Sequence, residues 1–346
     1  MRHAAQPTCP VCESRGTEAY AALRDHLFGA PGTWRMVRCV NALCGIYWLD
    51  PAPLKDDLPM AYRGYYTHAH ADAAERPGAF RARVRDAFVA RRLGYPTPKQ
   101  SVITSLFSYL VPFIARREQA WMYASFYLPW VDGGRLLEVG CGSGWQLERM
   151  KELGWSVKGI DFDPDAARAA RARGLDVVIG DVRELKLEAG SFDAVVMAHV
   201  LEHVYDPVSL LAECRRLLKP GGRLISITPN GRSFGHRYYK AAWRGLEPPR
   251  HIAVFTVAGL RLACRRAGLD VERIDVTARD AANLLLASGR ISRIQGDEQV
   301  VHPSAAHAPP LTTRLLAVME RIGIFLGFAI GEETVLTARK PRIDDR

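Results

Sequence analysis

The chain has 346 residues, 48% of them hydrophobic and 24% charged, with a formal charge of +10 at pH 7. That length carries a full core and two or three units, and the composition is that of an ordinary globular protein. No apolar run approaches the ~18–20 residues of a spanning helix, MRHAAQPTCP lacks the apolar stretch of a signal peptide, and an odd number of cysteines, seven, argues against a disulfide framework. A cytoplasmic protein is the expectation.

Residues 1–60 are rich in Cys, Pro and turn formers, with CPVC (9–12) followed by CVNALC (39–44). Two Cys pairs so spaced predict a small zinc-ribbon-like domain in which Cys9, Cys12, Cys39 and Cys44 hold a structural Zn²⁺ in a tetrahedral S₄ site. The second pair is wider than usual, and His26 is a lesser candidate ligand. Residues 61–130 read as a mostly helical lid or linker. RARVRDAFVARR (81–92) is strongly basic and SVITSLFSYLVPFI (101–114) apolar. A basic excess suits nucleic acid, anionic lipid or phosphorylated substrates without choosing among them.

From residue 131 short apolar strands alternate with helices: RLLEV (135–139), SVKGID (156–161), DVVIG (176–180), FDAVVMA (192–198) and RLISIT (223–228), with helices near 144–153, 164–173 and 207–218. Strands apolar throughout belong to a parallel sheet covered on both faces, so an α/β, doubly wound, Rossmann-like fold is expected. A helix near 256–267, a strand near 269–276, a long Pro- and His-containing stretch at 277–313, a helix at 314–328 and a strand TVLTARK (334–340) follow.

The first of these strands runs into LLEVGCGSGWQ (136–146), where Gly140, Gly142 and Gly144 alternate. A P-loop needs Gly-Lys-Ser/Thr, and no Lys follows. The dinucleotide fingerprint needs a third Gly where Trp145 stands, or Leu147 in the alternative register. Glu138 sits where a carboxylate meets a cationic ligand rather than a phosphate. Asp161 ends the second strand, placed to accept ribose hydroxyls, and Asp181 ends the third, placed for an adenine amino group.

E-x-G-x-G-x-G, GID (159–161), GDV (180–182), FDAVVMAHVLEHV (192–204) and LKPGG (218–222), in this order, resemble the class I methyltransferases that use S-adenosylmethionine (SAM). The resemblance covers about residues 131–276 and is nearest to ubiquinone-biosynthesis-type O-methyltransferases and to methyltransferases of sugar and polysaccharide gene clusters. It implies a seven-stranded sheet of order 3-2-1-4-5-7-6 with TVLTARK as the antiparallel seventh strand, in a domain at 131–346 with an insertion at about 277–333. It implies a SAM site of Glu138, Gly140, Cys141, Gly142, Gly144, Asp161, Phe162 against adenine, Asp181, Val182, and His199 with Leu201 toward the methionine end. LDPAP (49–53), YRGYY (62–66) and His68 resemble the zinc-binding region of certain sugar methyltransferases.

Methyl transfer to a hydroxyl requires alignment and removal of a proton. His199, Glu202 and His203 in HVLEH, and His251 in EPPRH, are the candidate catalytic residues. Related sugar C-methyltransferases carry Glu-His where this chain has Arg250-His251, which argues against C-methylation and leaves Arg250 to bind an acidic substrate group. H-x-x-E-H is also an inverted zinc motif, but its place directly after the fourth strand argues against catalytic zinc. The expected reaction is O-methylation of a nucleotide- or lipid-linked sugar or a similar small metabolite. The alternative is a quinone or lipid-intermediate methyltransferase peripheral at the inner membrane face, where the basic 81–92 and apolar 101–114 and 314–330 stretches would meet anionic lipid. The apolar stretches equally suit a lid or a homodimer contact. Nucleic-acid binding is the weakest reading, since aromatics do not interleave a basic face.

Overall fold

The structure, a computed structural model, describes residues 1–62, 78–96, 102–111, 115–294 and 310–342, with side chains 115–117 left aside. Most of YRGYY, His68 and Pro112 lie outside the described residues.

The cysteine-bearing segment is built of short strands: β1 (His3–Ala4), β2 (Gly16–Leu23), β3 (Trp34–Cys39), β4 (Tyr47–Leu49) and β5 (Ala52–Pro53). Helices α1 (Ala79–Leu93), α2 (Val102–Leu110) and α3 (Ala115–Tyr123) follow. The alternating region then runs β6 (Arg135–Val139), α4 (Trp145–Glu152), β7 (Ser156–Asp161), α5 (Pro164–Ala172), β8 (Val177–Ile179), β9 (Phe192–Ala198), α6 (Pro207–Leu217) and β10 (Leu218–Pro229). Asp163 caps α5 by accepting from the amides of Asp165 and Ala166, with Pro164 in the first turn, the arrangement that starts helices. The chain continues through α7 (Phe234–Tyr239), β11 (Ala253–Val254), α8 (Val257–Arg266), β12 (Asp270–Thr277), α9 (Ala281–Ile291), α10 (Leu311–Phe325) and β13 (Glu333–Arg339). The Pro- and His-containing stretch after residue 277, for which no element was expected, begins with α9, whose Ala281, Leu285 and Ser288 are buried.

Seven strands form one sheet in the order β12-β13-β10-β9-β6-β7-β8. Numbered along the chain, this is the expected 3-2-1-4-5-7-6. β6, β7, β8 and β9 pair in parallel, with Glu138 opposite Gly159 and Val139 opposite Ile160. β13 runs against β10: backbone bonds join Gly221 and Gly222 to Lys340, and Asn230 to Glu332, so one numbering falls as the other rises. A second sheet has the order β11-β4-β3-β2. In it Ala253 pairs with Trp48, although the two lie far apart in sequence.

The chain divides into two compact units. One comprises Met1–Tyr65, Ala198–Arg215 and Ser226–Ala338. Its core gathers Leu23, Trp34, Met36 and Leu49 from the cysteine-bearing strands with Trp243, Leu246, Ile252 and Val254. The other comprises Tyr66–Met197, Arg216–Ile225 and Arg339–Arg346. There Phe88 packs on Trp121, and the Trp155 indole donates to the Tyr95 hydroxyl at 2.9 Å.

Candidate active site

β6 delivers the glycine turn. Its apolar Leu136 and Leu137 are fully buried, so the strand cannot slip. Beyond Val139 the backbone adopts positive φ at Gly140, Gly142 and Gly144 (72°, 53° and 79°), a region that L side chains enter only at a cost. At Gly144 a Cβ would also lie 2.5 Å from Leu175 Cδ1, whereas at Gly142 it would meet nothing within 4 Å. Gly142 therefore faces open space, and Gly144 faces packing.

Two carboxylates bracket this turn. The Gly142 amide donates to Asp161 Oδ2 at 2.7 Å, and the Asp163 amide to Oδ1 at 2.9 Å. Burial raises the Asp161 pKa against the pull of these two amides. Glu138 is 3% exposed, and its Oε2 has no hydrogen-bond partner among the described residues. Burial, and then the neighbouring Asp161 charge, push its pKa well above the usual carboxylate range. A buried acceptor without a donor is costly, and a cationic ammonium would satisfy it.

Other residues assigned to the cofactor have mixed placements. Phe162, next in sequence to Asp161, is 62% exposed. Cys141 is buried, and a Cβ at Gly159 would meet its Sγ at 2.7 Å, so the thiol fills space behind the turn. Asp181 is clasped by the Arg183 guanidinium and amide, and Val182 is buried. Leu201 is fully buried in a short turn with Glu202 and His203.

The histidines form a separate cluster. His199 has φ 56°, unusual for a residue with a side chain. Its Nδ1 lies 3.2 Å from Glu202 Oε1 and its Nε2 3.1 Å from Glu333 Oε1. Burial would lower its pKa, but the hydrogen bonds to Glu202 and Glu333 outweigh this and raise it to about 10. Both ring nitrogens therefore donate at neutral pH, and His199 has no lone pair with which to accept a proton. Burial opposes charge on both acids, yet His199 holds Glu202 at about 2, and Arg279 followed by His199 does the same for Glu333. Thr228 also donates to Glu202, and Arg279 to Glu333.

His203 and His251 are arranged differently. His203 Nδ1 lies 2.9 Å from the Arg250 carbonyl, which can only accept, and 3.1 Å from the Tyr62 hydroxyl. His251 Nδ1 lies 2.8 Å from the Gly245 carbonyl. Each ring thus carries a proton on Nδ1, which leaves Nε2 of His203 as an acceptor, whereas Nε2 of His251 lies 3.5 Å from Glu247 Oε2. Burial lowers the His251 pKa to about 4, so this ring is neutral at pH 7. Glu202, His203 and His251 bring ligand atoms within 4.8 Å of one another, a spacing that could also hold a cation.

His199, His203 and His251 line a cavity of about 170 Å³ with Trp243, Arg244, Arg279, Asp280, Leu284, Glu332 and Glu333. Burial, then the Glu333 charge, raise the Asp280 pKa. Sequence reasoning missed Glu333, Arg279 and Asp280; the only signal was a pair of acids opening the last strand. Arg250 was expected to meet a substrate, but its side chain is fully buried and bonded to Glu247 and the Ala61 carbonyl. That expectation is corrected: a guanidinium so enclosed offers no donor to a ligand.

Cys9, Cys12, Cys39 and Cys44 converge as their spacing suggests. Cys9 and Cys44 sulfurs lie 3.7 Å apart and those of Cys12 and Cys39 3.4 Å, with all four within 4.8 Å of one another.

The His199 clamp makes stability depend on pH in a stated direction. A folded-state pKa of about 10, above the ordinary value of 6.5, gives stabilisation that is complete below 6.5 and lost as pH rises through about 10. The melting temperature of the wild type should therefore fall more between pH 7 and pH 10 than that of His199→Gln. Parallel curves for the two proteins would refute the clamp.

Residues 113–274 match a family model described as a methyltransferase domain. A ubiquinone biosynthesis O-methyltransferase of Xanthomonas oryzae pv. oryzae (strain PXO99A) is 45% identical over 105 residues, 28% of this chain and 44% of the relative. The corresponding protein of Xanthomonas campestris pv. campestris (strain B100) is 43% identical over 107 residues, 29% of this chain and 45% of the relative. The chain thus spans less than half the length of the curated relatives it matches. Among solved structures, a SAM-dependent methyltransferase from Archaeoglobus fulgidus is 21% identical with TM-score 0.44, covering 68% of this chain and 99% of that one.

Proposed function

We propose, from the premise that residues 113–274 form a class I SAM-dependent methyltransferase domain, that this chain methylates a hydroxyl of a small-molecule acceptor. The observation that carries the reading is the glycine turn braced by Asp161 with Glu138 buried and unpaired behind it. The open space at Gly142, the orphaned Glu138 oxygen and the exposed Phe162 ring fit the methionine part, its amino group and the adenine of SAM. When bound, SAM supplies the sulfonium methyl. Asp161 would accept from the ribose hydroxyls, and the glycine backbone would admit the methionine part without side-chain clash.

The acceptor is assigned to the histidine cavity. Nε2 of His203 would take the proton of the acceptor hydroxyl, with His251, whose Nε2 lies 3.5 Å from Glu247 Oε2, packed beside it. Among the four catalytic candidates, His199 and Glu202 serve as a charged brace instead. The cavity wall mixes Trp243 with carboxylates and guanidinium groups, which suits a polyhydroxylated acceptor such as a nucleotide- or lipid-linked sugar. Isothermal titration with S-adenosylhomocysteine (SAH), followed by a methyl-transfer screen of hydroxylated acceptors, tests the reading. Absence of SAH binding would sink it.

The cysteine tetrad fits Zn²⁺. Zinc–thiolate bonds of about 2.3 Å in a tetrahedron place sulfurs about 3.8 Å apart, close to the spacings observed. With four protein thiolates filling the coordination sphere, such an ion would be structural.

A second reading, peripheral membrane contact, is favoured by one surface. α2 contains no charged residue and exposes Val102, Ile103, Leu106, Phe107 and Leu110. It packs on α1 through Phe107 against Phe80, and α1 carries exposed Arg81, Arg83, Arg91 and Arg92. No helix among the described residues is long and apolar enough to cross a membrane. An apolar face rimmed by arginine suits an anionic bilayer surface. Co-sedimentation with phosphatidylglycerol vesicles should be salt-sensitive and lost in Leu106→Asp/Phe107→Asp. Equal recovery with neutral vesicles would count against it.

A further inference from the structure

Arg250 sits beside the acceptor cavity without facing it. Its guanidinium Nε donates to Glu247 Oε1 at 2.8 Å and Nη1 to the Ala61 carbonyl at 2.7 Å. Nη2 pairs with Asp25 Oδ2 at 2.9 Å, and the group lies 4.7 Å from the Phe28 ring centroid. Asp25 and Phe28 belong to the loop between β2 and β3. That loop is wound around the same carboxylate, since Asp25 accepts from the amides of Leu27, Phe28 and Ala30. At the backbone end, the Arg250 carbonyl accepts from His203 Nδ1, and the next residue is His251. A guanidinium with no exposure persists only where charges and carbonyls enclose it, so each of these contacts restrains where residue 250 lies.

We propose that Arg250 is a positioning residue, tethered by Asp25 of the cysteine-bearing segment, that sets the tautomer of His203 and keeps its Nε2 available as an acceptor. This rests on the reading of the histidine cavity as the acceptor site. The cysteine-bearing segment thereby contributes to the cavity through a salt bridge, without placing a side chain of its own in the lining. Lysine at position 250 could reach one carboxylate, but its ammonium lacks the planar fork that serves Glu247, Asp25 and Ala61 together.

The test uses the full chain, labelled with ¹⁵N-histidine, as wild type, Arg250→Lys, Arg250→Met and Asp25→Asn. Long-range ¹H–¹⁵N spectra report which nitrogen of His203 carries the proton, and calorimetry with SAH reports the donor site. The wild type should show a single Nδ1–H tautomer for His203. Arg250→Met and Asp25→Asn should shift it to a mixture containing Nε2–H, with SAH affinity unchanged, and Arg250→Lys should restore part of the wild-type signal. An unaltered His203 tautomer in Arg250→Met and Asp25→Asn overturns the proposal. Should Arg250→Met fail to fold, the near-isosteric Asp25→Asn decides alone. Wild-type protein that binds no SAH would overturn the methyltransferase reading instead, while the spectra still decide the role of Arg250.

Discussion

Replacing Asp161 with alanine should reduce SAH affinity by roughly 100-fold or more, given about 1.5–3 kcal/mol for each hydrogen bond to a charged group. The Asp161 carboxylate already binds the Gly142 and Asp163 amides, so its loss frees the turn as well as removing the group proposed to meet the ribose. Asp161→Asn keeps the size and one acceptor oxygen and should fall between the two. Isothermal titration is the direct measurement, and circular dichroism separates lost binding from lost folding. An Asp161→Ala isotherm that overlays the wild type would remove the central support for the donor site.

Replacing Cys44 with serine should abolish the zinc binding proposed for the tetrad and lower the melting temperature by about 10 °C, the size expected when about 3–5 kcal/mol is withdrawn from a domain-sized unit. Cys44 is fully buried, and its carbonyl accepts from the Thr256 hydroxyl at 2.6 Å. Thr256 in turn caps α8 through the Gly259 amide at 2.9 Å. A slack cysteine knuckle would therefore loosen the start of α8 and the β4–β11 pairing near it. Cys214 is equally buried but lies on α6, outside the tetrad, and Cys214→Ser should retain the metal. Elemental analysis should find one zinc per wild-type chain and less in Cys44→Ser. Metal-free wild-type protein that melts like Cys44→Ser would show the tetrad to be a cluster of packed thiols.

Several parts of the fold were legible because their signals are local. The run of apolar strands between helices announced a parallel sheet, and the observed strand order agrees. Gly140, Gly142 and Gly144, read from their alternation as a ligand-binding turn, all adopt a left-handed backbone. Asp161 follows from its place at the end of β7, and the four cysteines meet although the antiparallel β2–β3 pair lies between Cys12 and Cys39. Helix α9 was hidden because a Pro- and His-containing neighbourhood masked a short amphipathic pattern, ANLLLASGRI, that packs against Ala317 of α10.

By itself, then, the sequence determined the strand–helix alternation, the glycine turn, the acidic residues that flank it and the cysteine tetrad. Each of these depends on residues close in the chain or on backbone conformations that only certain side chains permit. The tertiary structure alone decided the charge of His199, because Glu333 on the last strand supplies its second carboxylate partner. It alone turned Arg250 inward, because Asp25, Phe28 and Ala61 close around it from the cysteine-bearing segment. Protonation and burial are set by whichever groups the fold brings within a few ångströms, and Glu333, Asp25, Phe28 and Ala61 leave no mark in the motifs of HVLEH or EPPRH.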